Sequence, residues 1–242
     1  MILLLTGCIN PQGMTMTALS DKEERKEQYV KAINYYLENT KFPIVFAENS
    51  GTDISILFKN AIKSGRLEYL SFDGNHAKER GKGYGECEII QYALRNSLTI
   101  RSAKDKRVAK ITGRLIIKNI NNIINIHNFF FSKQTVFCAI NSNLSLPDSR
   151  FIIAPESFYY TFLKHKEGIN DSLGQYFEHI LCQTIKEEKQ IQYSPFYIQP
   201  QIIGISGSDK RIYEEGNKSI IFIYKYARFA TSQLFRFNKL YR

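Results

Sequence analysis

The chain opens with a continuous apolar run, Ile2-Leu3-Leu4-Leu5-Thr6, that stops at Gly7 and Asn10-Pro11. A run without alternation belongs to a strand buried on both faces, as found in sheets covered by helices on either side. A second run, Phe42-Pro-Ile-Val-Phe-Ala47, has the same character and ends in Glu48-Asn-Ser-Gly51-Thr-Asp53. Between the two, Ser20-Asp21-Lys22-Glu23 supplies an N-cap and a helix-starting acid, and Tyr29, Ile33, Tyr36 and Leu37 fall on one face of the helix that follows. A helix through Phe58 and Ile62 then leads to a third strand over residues 67–72. This alternation predicts an α/β fold: a single domain around a mostly parallel central sheet flanked by helices. In open sheets of that kind, ligands gather at the carboxyl ends of the strands. Thr6 and Asn10 after the first strand, and Glu48, Asn49 and Ser50 after the second, are therefore candidate contacts for a base or ribose. An ordinary turn, or capping of the next helix by Ser50 or Asp53, is the competing use.

The stretch 81–119, GKGYGECEIIQYALRNSLTIRSAKDKRVAKITGRLIIKN, has a layout suited to phosphate. Gly81, Gly83 and Gly85 let the backbone approach a ligand, a helix starting near Glu86 offers unpaired N–H groups, and Lys82 adds a positive charge. One strand later, in Lys110-Ile-Thr-Gly-Arg114, the Arg114 guanidinium offers a planar fork for phosphate or carboxylate oxygens. GKGYGE matches neither the P-loop nor the dinucleotide fingerprint, so a plain turn, with Lys82 solvated and Arg114 paired to an acid, is the alternative.

Beyond residue 119 the pattern predicts a short helix over 119–128 and strands over 135–140 and 150–154, the latter after a Pro147-Asp148-Ser149 turn. Pro155-Glu156-Ser157 starts a helix rich in Tyr and Phe, and Asn170-Asp171-Ser172 starts another through Ile185, with Glu178 and His179 among apolar neighbours. A last strand over 198–205 runs into Gly204-Ile-Ser-Gly-Ser208. Within the one domain 1–242, the stretches 1–125, 126–215 and 216–242 differ in character. The last is a basic tail carrying Lys218, Lys225, Arg228, Arg236, Lys239 and Arg242. With its aromatics the tail forms either a surface for anionic lipid or a helix packed on the core with its charges solvated. A net charge of +10 points to an anionic partner. Cys8, Cys87, Cys138 and Cys182 form no C-x-x-C pair, which suggests reduced core thiols rather than a disulfide or zinc framework. No run reaches the roughly twenty apolar residues of a membrane span, so the expected location is cytoplasmic, at most peripheral on a membrane face.

In their order, TGCINP at the first strand end, the R-x-x-Q-Y helix of Arg25, Gln28 and Tyr29, FAENSG, GKGYGE and KITGR resemble bacterial GT-A glycosyltransferases that build capsule and lipopolysaccharide sugars. The resemblance covers about the first half of the chain. It implies a GT-A-like fold with a nucleotide-sugar lying across the strand ends. Thr6 and Asn10 then border the nucleotide, Glu48, Asn49 and Ser50 face base or ribose, and Lys82 with Gly83 lies near the diphosphate. KITGR stands where the family places its Asp-x-Asp metal motif, yet Thr112-Gly113-Arg114 has no carboxylate. Transfer builds negative charge on the departing phosphate, so Arg114, Lys110 and Lys82 become the expected cationic site, without a metal cofactor. Mg²⁺ or Mn²⁺ held by Asp148 or Asp171 is the alternative. For an inverting reaction the acceptor hydroxyl needs a carboxylate base, with Glu178 first and Asp171 or Glu156 next. The implied partners are a nucleotide-sugar donor and a saccharide or lipid-linked acceptor, the basic tail holding the enzyme at the inner face of the bacterial membrane. Two other functions fit less well. A sugar nucleotidyltransferase usually carries its glycine-rich loop directly after the first strand, where only Gly7 and Gly13 occur here, and a nucleic-acid-binding protein would show a recognised motif.

Overall fold

The computed structural model describes residues 1–15, 17–130, 133–140, 146–188 and 192–213; the basic tail 216–242 lies outside them. The first part runs β1 (Ile2–Gly7), α1 (Lys22–Asn39), β2 (Ile44–Glu48), α2 (Lys59–Lys63), β3 (Leu67–Ser71), α3 (Lys82–Asn96), α4 (Leu98–Ser102) and β4 (Arg107–Thr112). It continues through β5 (Ile116–Ile117), α5 (Ile120–Phe130), β6 (Thr135–Ile140), β7 (Pro147–Pro155), α6 (Glu156–Lys164), α7 (Phe177–Glu187), β8 (Gln192–Ser194), β9 (Ile202–Ile205) and β10 (Ile212–Tyr213). Seven strands form the central sheet in the order β3-β2-β1-β4-β7-β6-β8, and β10-β9-β5 form a small second sheet. β1 pairs in parallel with both β2 and β4, Leu5 lying opposite Phe46 and Ile111, while β7 enters antiparallel between β4 and β6.

The apolar run of β1 is buried along its whole length because its alternate residues feed two cores. Leu3 and Leu5 pack with Tyr29, Ile33 and Tyr36 of α1 on one face; Ile2 and Leu4 pack with Cys87 and Ile90 of α3 on the other. Each fully buried leucine contributes about 1.5–3 kcal/mol relative to an exposed one. All four cysteines are buried, and no disulfide joins them. Among the described residues no helix is long and apolar enough to cross a membrane.

The structure departs from the sequence expectation at four places. Helix α3 begins at Lys82 rather than near Glu86, because an external carboxylate caps it (below). The Pro147-Asp148-Ser149 segment belongs to β7 rather than to a turn; Pro147 pairs with Ile140 at the strand's first position, where its missing N–H is tolerated. Asn170-Asp171-Ser172 forms only a 3-10 turn, ended by Gly174 in the left-handed region at φ 73°, and α7 starts afresh at Phe177. The last strand is confined to β9, in the second sheet.

Candidate active site

A cavity of about 1040 Å³ opens over the carboxyl ends of β1 and β4, and Thr6, Asn49, Glu86, Arg114, Asp171 and Glu178 are among its walls. Its floor is a tight junction. The Gly113 N–H donates to the Thr6 carbonyl at 2.8 Å, and a Cβ on Gly113 would stand 2.7 Å from that oxygen. Only glycine lets the turn after β4 lie this close to the end of β1. Gly113 thus shapes the floor and does not itself line the cavity.

Helix α1 braces this junction. Arg25, Gln28 and Tyr29 fall on one helical face by their i, i+3, i+4 spacing. The Tyr29 hydroxyl accepts from the Cys8 N–H at 2.9 Å, Arg25 Nε donates to the Cys8 carbonyl at 2.8 Å, and Gln28 Oε1 accepts from Arg114 Nη1 at 3.0 Å. Arg114 also donates to the Ile205 carbonyl at 2.8 Å and is only 7% exposed; its Nε is buried without a hydrogen bond from the described residues. Burial holds the guanidinium below its ordinary pKa, with neighbouring Tyr29 acting in the opposite sense. Arg25, a cavity wall as well, lay in the motif read from the sequence but was given no function there. Its place one helical turn before Tyr29 on a buried face was the available signal.

The loop after β2 divides the candidates there. Glu48 is fully buried, and its carboxylate accepts from the N–H groups of Ile9 at 3.0 Å, Ser50 at 2.8 Å and Thr52 at 3.1 Å, and from the hydroxyls of Ser71 and Ser50. It ties together the loops that follow β1 and β2 and does not face the cavity. Ser50 is held by Glu48 and accepts from the Asn10 N–H at 3.0 Å, so neither Ser50 nor Asn10 is a wall. Asp53 turns back to the Ser55 N–H at 2.7 Å. Asn49 is different. It is fully buried and lines the cavity, yet neither Oδ1 nor Nδ2 has a hydrogen-bond partner among the described residues. An unmatched donor and acceptor on one amide suit the edge of a nucleobase.

The N-terminus of α3 is already filled by an internal anion. Asp171 accepts from the Gly83 N–H at 3.0 Å, and a Cβ on Gly81 would stand 2.6 Å from Asp171 Oδ2. Gly81 has φ 89°, where glycine carries no Cβ penalty. The glycines thus admit a carboxylate from residue 171 rather than a phosphate. Burial pushes the Asp171 carboxyl up from its ordinary value, against the pull of the Gly83 N–H. Asp171, expected as a base or metal ligand, is a helix cap. Lys82 projects from the same turn to the Ser208 hydroxyl at the cavity mouth.

Lys110 is fully buried, 2.5 Å from Glu86 Oε1 and 2.7 Å from the Ser149 carbonyl, so it does not reach the cavity. Glu86 is a wall that sequence reading treated only as a helix start. Thr6 Oγ1 donates to its Oε1 at 2.8 Å, and Thr112 Oγ1 stands 3.5 Å from the same atom. On the far side the Ser149 hydroxyl donates to Glu178 Oε1 at 2.5 Å, and Arg150 Nε donates to Asp148 Oδ1 at 2.9 Å. Burial opposes the charge on Asp148, but the hydrogen bonds and charge of Arg150 win and hold it below the usual carboxylate range. Glu156 stays outside, 3.7 Å from Lys106.

These residues do not fit the divalent cation that GT-A enzymes hold with Asp-x-Asp. Arg114 stands at that turn, Asp148 is engaged by Arg150, Asp171 by α3 and Glu86 by Lys110, and among the described residues no three His, Cys, Asp or Glu side chains converge.

The chain has a GT-A-like α/β fold, with its mostly parallel seven-stranded sheet flanked by helices. It is similar to the glycosyltransferase GlyE of Streptococcus pneumoniae TIGR4, with a TM-score of 0.54 at 10% identity over 93% of this chain and 60% of GlyE. The chain therefore spans three fifths of that protein's length. Weaker likenesses, too slight to carry argument, are to a cytidylyltransferase from Leptospira borgpetersenii serovar Hardjo-bovis and to mouse xyloside xylosyltransferase 1. The first has a TM-score of 0.44 at 11% identity, over 99% of this chain and 89% of that one. The second has a TM-score of 0.42 at 11% identity, over 81% and 83%. No protein-family model matches the sequence, and no curated protein matches it.

Proposed function

We propose that the protein is a glycosyltransferase that moves a sugar from a nucleotide-sugar to a saccharide or lipid-linked acceptor in bacterial surface polysaccharide synthesis. The observation that carries this reading is a pair of buried groups on one cavity that are unmet among the described residues, the Asn49 amide and the Arg114 Nε, which a base and a diphosphate would complete. A volume of about 1040 Å³ suits a nucleotide-sugar together with part of an acceptor. As the glycosidic bond to phosphate breaks, negative charge grows on the leaving diphosphate; Arg114 and Lys82, already fixed at the cavity, meet it without a metal ion. Arg25 and Gln28 hold the end of β1 and Arg114 in place. Glu178, oriented by Ser149, takes the proton of the attacking acceptor hydroxyl.

The test is a melting-temperature screen against UDP, GDP, CMP and their sugar conjugates, each in EDTA and in Mn²⁺. A ligand that binds only the folded state at a hundred times its Kd stabilises it by about 2.7 kcal/mol. Stabilisation that survives EDTA is expected. A response that needs Mn²⁺ would overturn metal independence, and none at all would overturn the transferase reading. With a hit in hand, product analysis separates the chemistries: a glycosyltransferase releases nucleotide, whereas a nucleotidyltransferase releases pyrophosphate from a nucleoside triphosphate.

A further inference from the structure

On the transferase reading, a further group is needed to hold the sugar itself, and we propose that Glu86 does so, accepting hydrogen bonds from hydroxyls of the donor sugar, with Lys110 positioning it. A carboxylate offers about four acceptor sites over its two oxygens. Here the Thr6 hydroxyl at 2.8 Å, the Lys110 ammonium at 2.5 Å and the Thr112 hydroxyl at 3.5 Å all converge on Oε1. No described residue hydrogen-bonds Oε2, and Glu86, 19% exposed at its side chain, is a wall of the cavity. Were Glu86 only a counter-ion for Lys110, both oxygens would be free to share the donors. Instead one oxygen is clamped from two strands and the other is left open.

The place and the charge fix the ligand class. Glu86 stands over the ends of β1 and β4 through Thr6 and Thr112, and its neighbour Gly85 abuts the Asn49 amide in the loop after β2, so the two residues share one floor. A phosphate is repelled by a carboxylate, and the base edge is matched by the amide of Asn49. Polyol hydroxyls are the donors that remain, and a sugar ring presents several. The buried Lys110 is compatible with this: an ion pair at such depth is often replaceable by apolar residues without loss of stability, so the stability of the fold does not by itself require it. Clamping by Lys110 and Thr6 fixes Glu86 before ligand arrives, which lowers the ordering cost of binding.

The experiment compares Kd by calorimetry for UDP against UDP-glucose and UDP-galactose, GDP against GDP-mannose, and CMP against CMP-N-acetylneuraminic acid. Wild type should hold at least one sugar conjugate more tightly than its parent nucleotide. Glu86→Gln leaves Lys110 buried beside a neutral group and can fail to fold, so the double variant E86Q/K110M, which removes both charges, is measured beside it. The expected result is a folded double variant that binds the parent nucleotide as wild type does but has lost the preference for the conjugate, by tenfold or more. Lys110→Met alone should lower the same ratio without changing nucleotide affinity, which loss of a purely structural role would not do. A wild-type ratio in the double variant, or a wild type that holds both ligands of every pair equally, overturns the assignment of Glu86 and leaves the transferase reading in place. A wild type that binds none of these nucleotides overturns the transferase reading and Glu86 with it.

Discussion

Replacing Asn49 by leucine should stabilise the free protein while destroying its ligand site. The main chain of Asn49 is fully engaged, its N–H donating to Gly7 at 3.1 Å and its carbonyl accepting from Gly74 at 3.1 Å, and neither bond depends on the side chain. The side-chain amide is fully buried, and both its polar atoms are unmet among the described residues. Each unmatched buried group costs about 1–3 kcal/mol, and leucine fills a similar volume with no polar atom. Allowing part of the gain for repacking around the branched methyls, Asn49→Leu should be more stable by about 2 kcal/mol. For a chain of this length that raises the melting temperature by about 4–8 °C. Urea and thermal unfolding of the ligand-free variant measure the effect, and the same scans with the nucleotide from the screen should show its stabilisation gone. A folded variant with an unchanged or lower melting temperature would refute the reasoning, because the amide would then already be satisfied, for instance by a tightly held water.

Arg114→Ala should lower transfer by about 10²–10³-fold, the usual loss on removing a preorganised charge-stabilising donor; steady-state kinetics measure it. Because Gln28 and the Ile205 carbonyl lose a shared donor, it should also cost about 1–3 kcal/mol, read from the urea midpoint. Gly81→Ala places a Cβ at φ 89° against Asp171 and should destabilise by at least about 1–3 kcal/mol, seen as a lower melting temperature. Burial and the adjacent Arg107 guanidinium push His127 down to about 4. The unfolded chain takes that proton near pH 6.5. The stability is therefore complete above about 6.5 and declines as pH falls toward 4, by at most about 1.4 kcal/mol per pH unit. Urea midpoints at pH 7, 5.5 and 4.5 should show a shallower decline in His127→Gln than in wild type.

The sheet was legible because β1 and β2 are apolar without alternation, a pattern that only a doubly covered strand explains. The strand-end rule then reached Thr6 and Asn49, both of them cavity walls. It could not separate Asn49 from its neighbours Glu48 and Ser50, since that depends on which way each side chain leaves the strand end and on how many backbone N–H groups converge there. A helix boundary set by local glycines was also misleading, because the cap of α3 comes from 88 residues away. Likewise Lys110, read as phosphate-facing, and Glu86, read only as a helix start, are joined only by the packing of α3 on β4. Arg25 was within reach, since its register with Tyr29 places it on a buried stripe where an arginine needs a reason.

The bond between Asp171 and the Gly83 amide has a consequence for how the chain is made. The ribosome delivers Gly83 long before Asp171, at about 5–20 residues per second. Across the 88 residues between them, the first turn of α3 waits roughly 4–18 seconds without its cap. Over that interval the face of β1 that α3 covers has only an unfinished helix to shield it. Until Asp171 is made, water is what the Gly83 N–H has for a partner, and the first turn of α3 gains its fixed anion only when the second half of the chain has been delivered.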